Sequence, residues 1–300
     1  MSSVIQVKPP ANSRLSAWDR VQLARHQARP KTLDYVQALV APWVELHGDR
    51  VHGDDPALVG GVGTFRGRSV VVLGHQRGGD TKENVTRNFG MPRPEAYRKA
   101  GRLMEMAAKF ALPLICFVDT PGADPGMHSE ERGQAMAIAD NLLKLANLAV
   151  PVVATVIGEG GSGGALAISA GDRILMLENS VYSVATPEAS AAILWRDAAR
   201  APEAAEAMRI TADHLLDFGI ADRVIAEPEG GAHTDPAAVI ERVSANISEM
   251  LEELDRCFRT PVGYDAPRLL AARAEKYRKI GIWSEQPPLS ENQAVESPGA

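Results

Sequence analysis

Cysteine is nearly absent. The chain carries only Cys116 and Cys257 in 300 residues, too few and too far apart for a disulfide framework, and it has no CxxC pair to hold zinc. A reducing, cytoplasmic setting is expected. Long apolar runs are missing too. The longest, Leu148 to Ile157, is roughly half the ~20 residues that cross a bilayer. Met1 to Pro10 lacks the apolar core of a signal peptide. The sequence therefore predicts a soluble protein with no membrane partner. Nor is positive charge in excess: a formal net charge of −6 argues against broad nucleic-acid binding. No Gly-Lys-Ser/Thr is present to form a Walker phosphate loop. No Ser–His–Asp or Cys–His constellation stands out, and no internal repeat is visible.

What is present centres on one stretch. Five of the seven residues from Gly158 to Gly164 are glycine. An apolar run, Val150 to Ile157, enters it, and Ala165-Leu-Ala-Ile168 leaves it. This reads as strand, tight glycine turn and helix start. Glycine lets a ligand approach the main chain without meeting a Cβ. The first N–H groups of a helix lack internal partners, and the helix dipole adds partial positive charge there. Such a place suits a phosphate, a carboxylate or an oxyanion that forms during reaction. The spacing of GxGxxG is met, but no acidic ribose-binding residue follows a second strand. A turn that only packs strand against helix is the alternative at this point.

In chain order, residues 1–15 predict a loose arm with Pro9-Pro10. Ser16 is expected to cap a helix to Ala28, and Thr32 a second one bearing Tyr35, Val36, Leu39 and Val40 on one face. Leu58 to Phe65 and Ser69 to His75 read as a hairpin around Arg66-Gly67-Arg68. A basic, polar loop from Gln76 to Pro94 offers Lys and Arg to phosphate groups, or is simply a solvated connection. A helix to Ala108 should bury Tyr97, Ala100, Leu103, Met104 and Ala107. Leu112 to Val118 predicts a buried strand and Asp119 to Gly126 a loop, after which Ser129 caps a helix to about Asn147. Repeated strand–loop–helix units from residue 112 imply a largely parallel sheet. Its two loops, Asp119–Gly126 and Gly158–Gly164, should emerge at one edge, where α/β proteins bind ligands. Further short strands and helices follow. Pro236 opens a long amphipathic helix and Arg268 to Ile280 another. The expected organisation is one α/β domain over residues 16–283 and a disordered tail over 284–300.

Several motifs occur in one order: Gly74-His75-Gln76, Arg87-Asn88-Phe89-Gly90-Met91-Pro92, Asp119-Thr120-Pro121-Gly122-Ala123, Glu130-Glu131-Arg132-Gly133-Gln134, the glycine stretch, Ile193-Leu194-Trp195-Arg196 and Gly230-Gly231-Ala232-His233. Together they resemble the α subunit of bacterial acetyl-CoA carboxylase carboxyltransferase, over roughly Val21 to His233. The resemblance implies a crotonase-like fold of stacked ββα units with flanking helices. It implies carboxyl transfer from carboxybiotin to acetyl-CoA, giving malonyl-CoA. It implies a zinc-ribbon β subunit in an α2β2 assembly, a biotin carboxyl carrier protein, a separate biotin carboxylase that alone uses ATP, and no metal in this chain. The main-chain amides of Gly163 and Gly164 become the expected catalytic oxyanion hole. They would face the biotin ureido oxygen, which gains negative charge as CO2 departs. The biotin anion can then take the methyl proton of acetyl-CoA, so no protein base is needed. Gly122, Ala123, Gly160 and Gly161 are the expected substrate-binding positions.

Of the side chains, His75 is read as hydrogen-bonded structure more readily than as a site residue. Glu159 is read as orienting the turn and Asp119 as bracing its loop. Trp195 and Arg196 are assigned to core and subunit contact. Three positions depart from the family pattern: Asp124 stands where Tyr is usual, Ala189 and Ala96 where glycine is. Asp124 is expected to remove an aromatic wall and repel an anionic ligand. These departures leave room for a diverged paralogue. A biotin-independent hydratase or decarboxylase and a non-catalytic scaffold subunit are the other readings.

Overall fold

Residues in the central strands are apolar on both faces. Val71 and Leu73 enter one core with Leu114, Cys116, Val152 and Ala154, while Val70 and Val72 enter a second with Ile115, Phe117 and Val153. Period-two alternation sends neighbours to opposite sides, so such a sheet must be covered on both. A computed structural model describes residues 15–281. The expected arm lies outside the described residues except for Leu15, as does the expected tail.

The chain runs α1 (Ala17–Ala24), α2 (Thr32–Leu39), β1 (Val40–Glu45), β2 (Leu58–Phe65), β3 (Arg68–His75), α3 (Thr81–Thr86), α4 (Pro94–Lys109) and β4 (Leu114–Thr120). Next come α5 (Met127–Glu131), α6 (Gln134–Ala146), β5 (Val152–Gly161), α7 (Ser162–Ser169), β6 (Arg173–Leu177), β7 (Val181–Ser183) and α8 (Pro187–Trp195). Then follow α9 (Ala201–Met208), α10 (Ala212–Asp217), β8 (Arg223–Ile225), α11 (Pro236–Phe258), β9 (Arg259–Thr260), β10 (Gly263–Tyr264) and α12 (Ala266–Arg278). The main sheet has the order β1-β2-β3-β4-β5-β6-β8, with β7 paired to the end of β5. β1, β2 and β3 are antiparallel neighbours. From β3 onward the pairs are parallel, as the repeated strand–helix units predict.

Helix α4 covers one face with Ala96, Ala100, Leu103, Met104 and Ala107, all fully buried. On the other, α11 lays down Val239, Val243, Ile247, Leu251 and Leu254. Their spacing follows the helical period, and each such side chain contributes about 1.5–3 kcal/mol when fully buried. Helix α12 is pinned by a buried pair. Arg273 donates to both oxygens of Asp172, at 2.9 and 2.7 Å, and to the carbonyls of Leu145, Leu148 and Val150.

Several expected boundaries are corrected. Ser16 caps α1 as expected, in a box with Asp19, but the helix ends at Ala24, four residues before Ala28, because residues beyond it turn to carry Arg25 and Arg29 inward. Lys31, not Thr32, is the cap position of α2; the Thr32 hydroxyl instead donates to the His75 carbonyl at 2.5 Å. Val40 leaves the helix and opens β1, pairing with Phe65. Ser129 does not begin the long helix. It lies in α5, fully buried, and α6 starts after Gly133. The Gln76–Pro94 loop contains α3.

Candidate active site at the end of the fifth strand

β4 and β5 stay in register from Leu114/Val152 to Val118/Val156; then Thr120 pairs with Gly160. One residue on β4 thus opposes three on β5, which bulges over residues 157–159. Side chains collect the main-chain groups that the ladder releases. Arg29 Nε donates to the Ile157 carbonyl at 2.5 Å, and the Glu159 N–H donates to Asp119 Oδ1 at 3.1 Å. The diverted end, Glu159 to Gly161, pairs with Val181 to Ser183 of β7. Gly158–Gly161 is therefore strand, not turn: only the last part of the glycine stretch turns. It does so at Ser162, whose φ is +54°, an uncommon conformation for a residue with a Cβ.

Helix α7 starts there. Its first amides have no acceptor within the helix and sit at its positive end. Ser162, Gly163 and Gly164, which carry them, line the floor of a cleft of about 330 Å³. One wall is Pro121 to Ala123 with Ile138, and the other is Val184 to Thr186 with Ala189. Four of the six expected positions, Gly122, Ala123, Gly163 and Gly164, thus meet in one place. A Cβ on Gly163 would meet only Ile138, at 3.5 Å. Gly164 has no such room, because the Ala123 main chain crosses directly against it. Gly160 and Gly161 do not line the cleft. They are buried in β5, where the Tyr182 ring and the Pro121 carbonyl take the space of a side chain. The two expected loops do leave the same sheet edge, since β4 and β5 are parallel neighbours.

A charge network gathers at the diverted end of β5. Glu159, 5 % exposed, accepts from Arg25 Nε at 2.7 Å and from Arg77 Nη2 at 2.6 Å. Arg77 Nε also lies 3.2 Å from Asp119 Oδ1. Burial pushes the Asp119 carboxyl up, and Arg77 opposes that shift. Arg25 continues to Glu188 in the first turn of α8, at 2.5 and 3.2 Å. Arg29 pairs with the buried Glu227 at 2.9 and 2.5 Å. Sequence reasoning placed Glu159 and Asp119 here but missed Arg25, Arg29 and Glu188. The available signal was two arginines four residues apart just past an N-terminal helix, which need partners if buried.

Other expectations change. Arg77 is consumed by Glu159 and Asp119, and Arg87 by Glu83 and the Pro56 carbonyl, so neither is a free phosphate ligand. Asp124 does not line the cleft. Its carboxylate accepts from Asn88 at 2.9 Å and Ser129 at 2.5 Å, which makes it a loop brace. Burial works against its charge, but those two hydrogen bonds, together with the Arg93 charge and the Gly126 N–H, outweigh it and hold the carboxyl below its ordinary range. Ala96 is in the core; of the three departures only Ala189 faces the cleft. His75 is fully buried, accepts from the Asp119 N–H at 3.4 Å, and is pushed by burial down to about 3. It is a neutral, structural imidazole. Trp195 is half-buried beneath the Arg200 guanidinium, 4.1 Å away, and Arg196 is exposed; neither belongs to the core. Among the described residues, no helix is long and apolar enough to cross a membrane, and no cluster of three or more His, Cys, Asp or Glu is placed to hold a metal ion.

Comparison with known proteins gives the family and the fold. Residues 3–281 match the family model described as acetyl co-enzyme A carboxylase carboxyltransferase-like. The acetyl-coenzyme A carboxylase carboxyl transferase subunit alpha of Nostoc punctiforme is 53% identical over 94% of this chain and 84% of its own. The protein of the same name from Bacillus cereus is 55% identical over 89% of this chain and 80% of its own. Among solved structures, transcarboxylase 12S aligns over 83% of this chain and 46% of its own, with TM-score 0.64 and 20% identity. A Pseudomonas malonate decarboxylase hetero-tetramer aligns over 85% of this chain and 95% of the matched one, with TM-score 0.63 and 19% identity. These two share the crotonase-type fold expected from the sequence.

Proposed function

The chain belongs to the acetyl-CoA carboxylase carboxyltransferase α-subunit family, and from that premise we propose that it moves the carboxyl group of carboxybiotin to acetyl-CoA, giving malonyl-CoA. The observation that carries this reading is the placing of Gly163 and Gly164 in the first turn of α7, where both line an open cleft. Biotin, brought by its carrier protein, would supply the transferable carboxyl. The open Cβ side of Gly163 leaves room for a flat ring against the main chain, which supports the fit. The Gly163 and Gly164 N–H groups would donate to an oxygen that gains charge as the carboxyl leaves. Each such donor is worth ~3 kcal/mol of barrier when aimed in advance. Gly122 and Ala123 would form the wall that holds the ring in plane. No side chain of this subunit is asked to move a proton, which agrees with a neutral His75.

Val184 lines the cleft and is 80 % exposed, and Ile193 and Leu194, further along α8, are 77 % and 67 % exposed. Apolar exposure next to a polar floor marks an interaction surface. It supports a β subunit of the zinc-ribbon type docking there, in an α2β2 assembly, with the thioester's own oxyanion site on that partner. ATP would be used only by a separate biotin carboxylase.

Co-expression with a candidate β subunit tests the reading. Malonyl-CoA formation from carboxybiotin is measured for each chain alone and for both together. Activity that needs both chains is expected. Acyl-CoA turnover by this chain alone would instead indicate a biotin-independent hydratase or decarboxylase, and assembly without turnover a scaffold.

A further inference from the structure

We propose that Arg25 is a positioning residue for carboxyl transfer: by bridging Glu159 and Glu188 it ties the start of α8 to the end of β5 and fixes the width of the cleft. This deepens the carboxyltransferase reading and rests on it. The floor and one wall of the cleft come from distant parts of the chain. Gly163 follows β5, whose diverted end carries Glu159. Ala189 follows Glu188 at the start of α8. Arg25 is the side chain that touches both carboxylates, with Nε on Glu159 at 2.7 Å and its two terminal nitrogens on Glu188 at 2.5 and 3.2 Å. A planar guanidinium offers donors in a fixed fork, so it transmits geometry as a lysine ammonium does not.

Arg25 itself is held from behind. The Ala17 N–H donates to Glu206 at 2.6 Å, and buried Arg20 donates to the Glu178 carbonyl at 2.5 Å and Asn179 Oδ1 at 3.2 Å. These contacts fix α1 against α9 and the β6–β7 connection without involving the cleft. The two carboxylates differ in what they keep if Arg25 is lost. Glu159 retains Arg77. Glu188 has no other ion-pair partner among the described residues. Removing the Arg25 fork therefore cuts the tie between the first turn of α8 and β5, leaving that turn its Thr186 cap and the buried Pro187, while the floor stays in place. A displacement of about 1 Å at a reacting site costs on the order of a hundredfold in rate.

The test uses the complete complex with the β subunit, and compares wild type with Arg25→Gln, Glu188→Gln, the double variant and Arg25→Lys. kcat and the KM values for the carboxybiotin and acyl-CoA substrates are measured separately, with hydrogen exchange across α8. A kcat loss of ~10- to 100-fold is expected for each single glutamine variant, with the acyl-CoA KM within about twofold of wild type. The double variant should be no slower than the slower single, and Arg25→Lys should restore kcat only in part. Exchange should quicken in α8 and not in α7. Wild-type kcat in Arg25→Gln, full loss in Arg25→Gln with none in Glu188→Gln, or losses that add in the double variant would each overturn the bridge. So would unchanged α8 exchange, which reads the bridge independently of turnover. A wild-type complex that transfers no carboxyl would count against the function itself.

Discussion

Gly164 lies against the main chain of Ala123: a Cβ built on Gly164 falls 2.5 Å from the Ala123 nitrogen and 2.8 Å from the Gly122 carbonyl carbon. Neither atom belongs to a flexible side-chain end, so any side chain at 164 must push the 121–123 wall away or tilt α7.

Gly164→Ala should therefore lower kcat by about a hundredfold or more, since the amide leaves its aim. Gly163→Ala meets only Ile138, at 3.5 and 3.9 Å, and should fold as wild type. Its methyl group enters the cleft, so its effect should fall mainly on the KM for the biotin substrate. Steady-state kinetics on both variants decide this. Equal, small effects at the two positions would remove the case for Gly164.

Asp124 binds Asn88 and Ser129 rather than facing the cleft. Asp124→Asn is expected to leave the acyl-CoA KM within about twofold of wild type. Asp124→Ala, which strands the buried Ser129 hydroxyl, should cost about 1–3 kcal/mol of stability. The carboxyl is held below its ordinary range, so its stabilising contribution is present at neutral pH and fades as pH falls through the lowered folded value. Urea titrations at neutral and acid pH, on wild type and Asp124→Asn, read this directly. A changed acyl-CoA preference in Asp124→Asn would restore a substrate role for this position.

His75 gives the opposite chemistry and the same direction with pH. Its folded value, about 3, lies below the ordinary ~6.5 of a free histidine. Below pH 6.5 the unfolded chain takes a proton that the folded chain refuses, so stability drops as pH falls, by up to about 1.4 kcal/mol per pH unit from this group. The window is roughly pH 6.5 down to pH 3. Nitrogen NMR of the imidazole should show a neutral ring at pH 5, and the pH–rate profile should contain no ionisation that His75→Gln removes. A protonated ring at pH 5 would contradict the burial argument.

Arg273 and Asp172 are 3 % and 3 % exposed. Asp172 also accepts from the Val152 N–H at 2.8 Å. Breaking one side of such a buried pair is expected to cost about 3–5 kcal/mol. Arg273→Met should therefore lower the denaturant midpoint sharply. Arg273→Met combined with Asp172→Asn should be less destabilised than the two single losses summed, because the stranded charge is gone. Full additivity would mean that the two side chains are not coupled.

Local chemistry made much of this molecule legible. The hairpin of β2 and β3, the apolar face of α4, the parallel strands from β4 onward and the glycine-rich approach to α7 all follow from periodicity and turn residues, which act over a few neighbours. The ordered motifs sufficed to identify the family. The amino-acid sequence also put a glycine turn just ahead of a helix, at the same sheet edge as the Asp119–Gly126 loop, and the resemblance singled out Gly163 and Gly164 within it. What it did not disclose depends on contacts between residues far apart. The bulge that carries the strand through Gly161, the close pass of Ala123 over Gly164, and the turning of Asp124 away from the cleft are set by which segments meet. Arg25 and Glu188 are 163 positions apart, and no local pattern couples them. Their pairing arises because opposite charges attract at a half-exposed site, and only the assembled sheet brings them within reach.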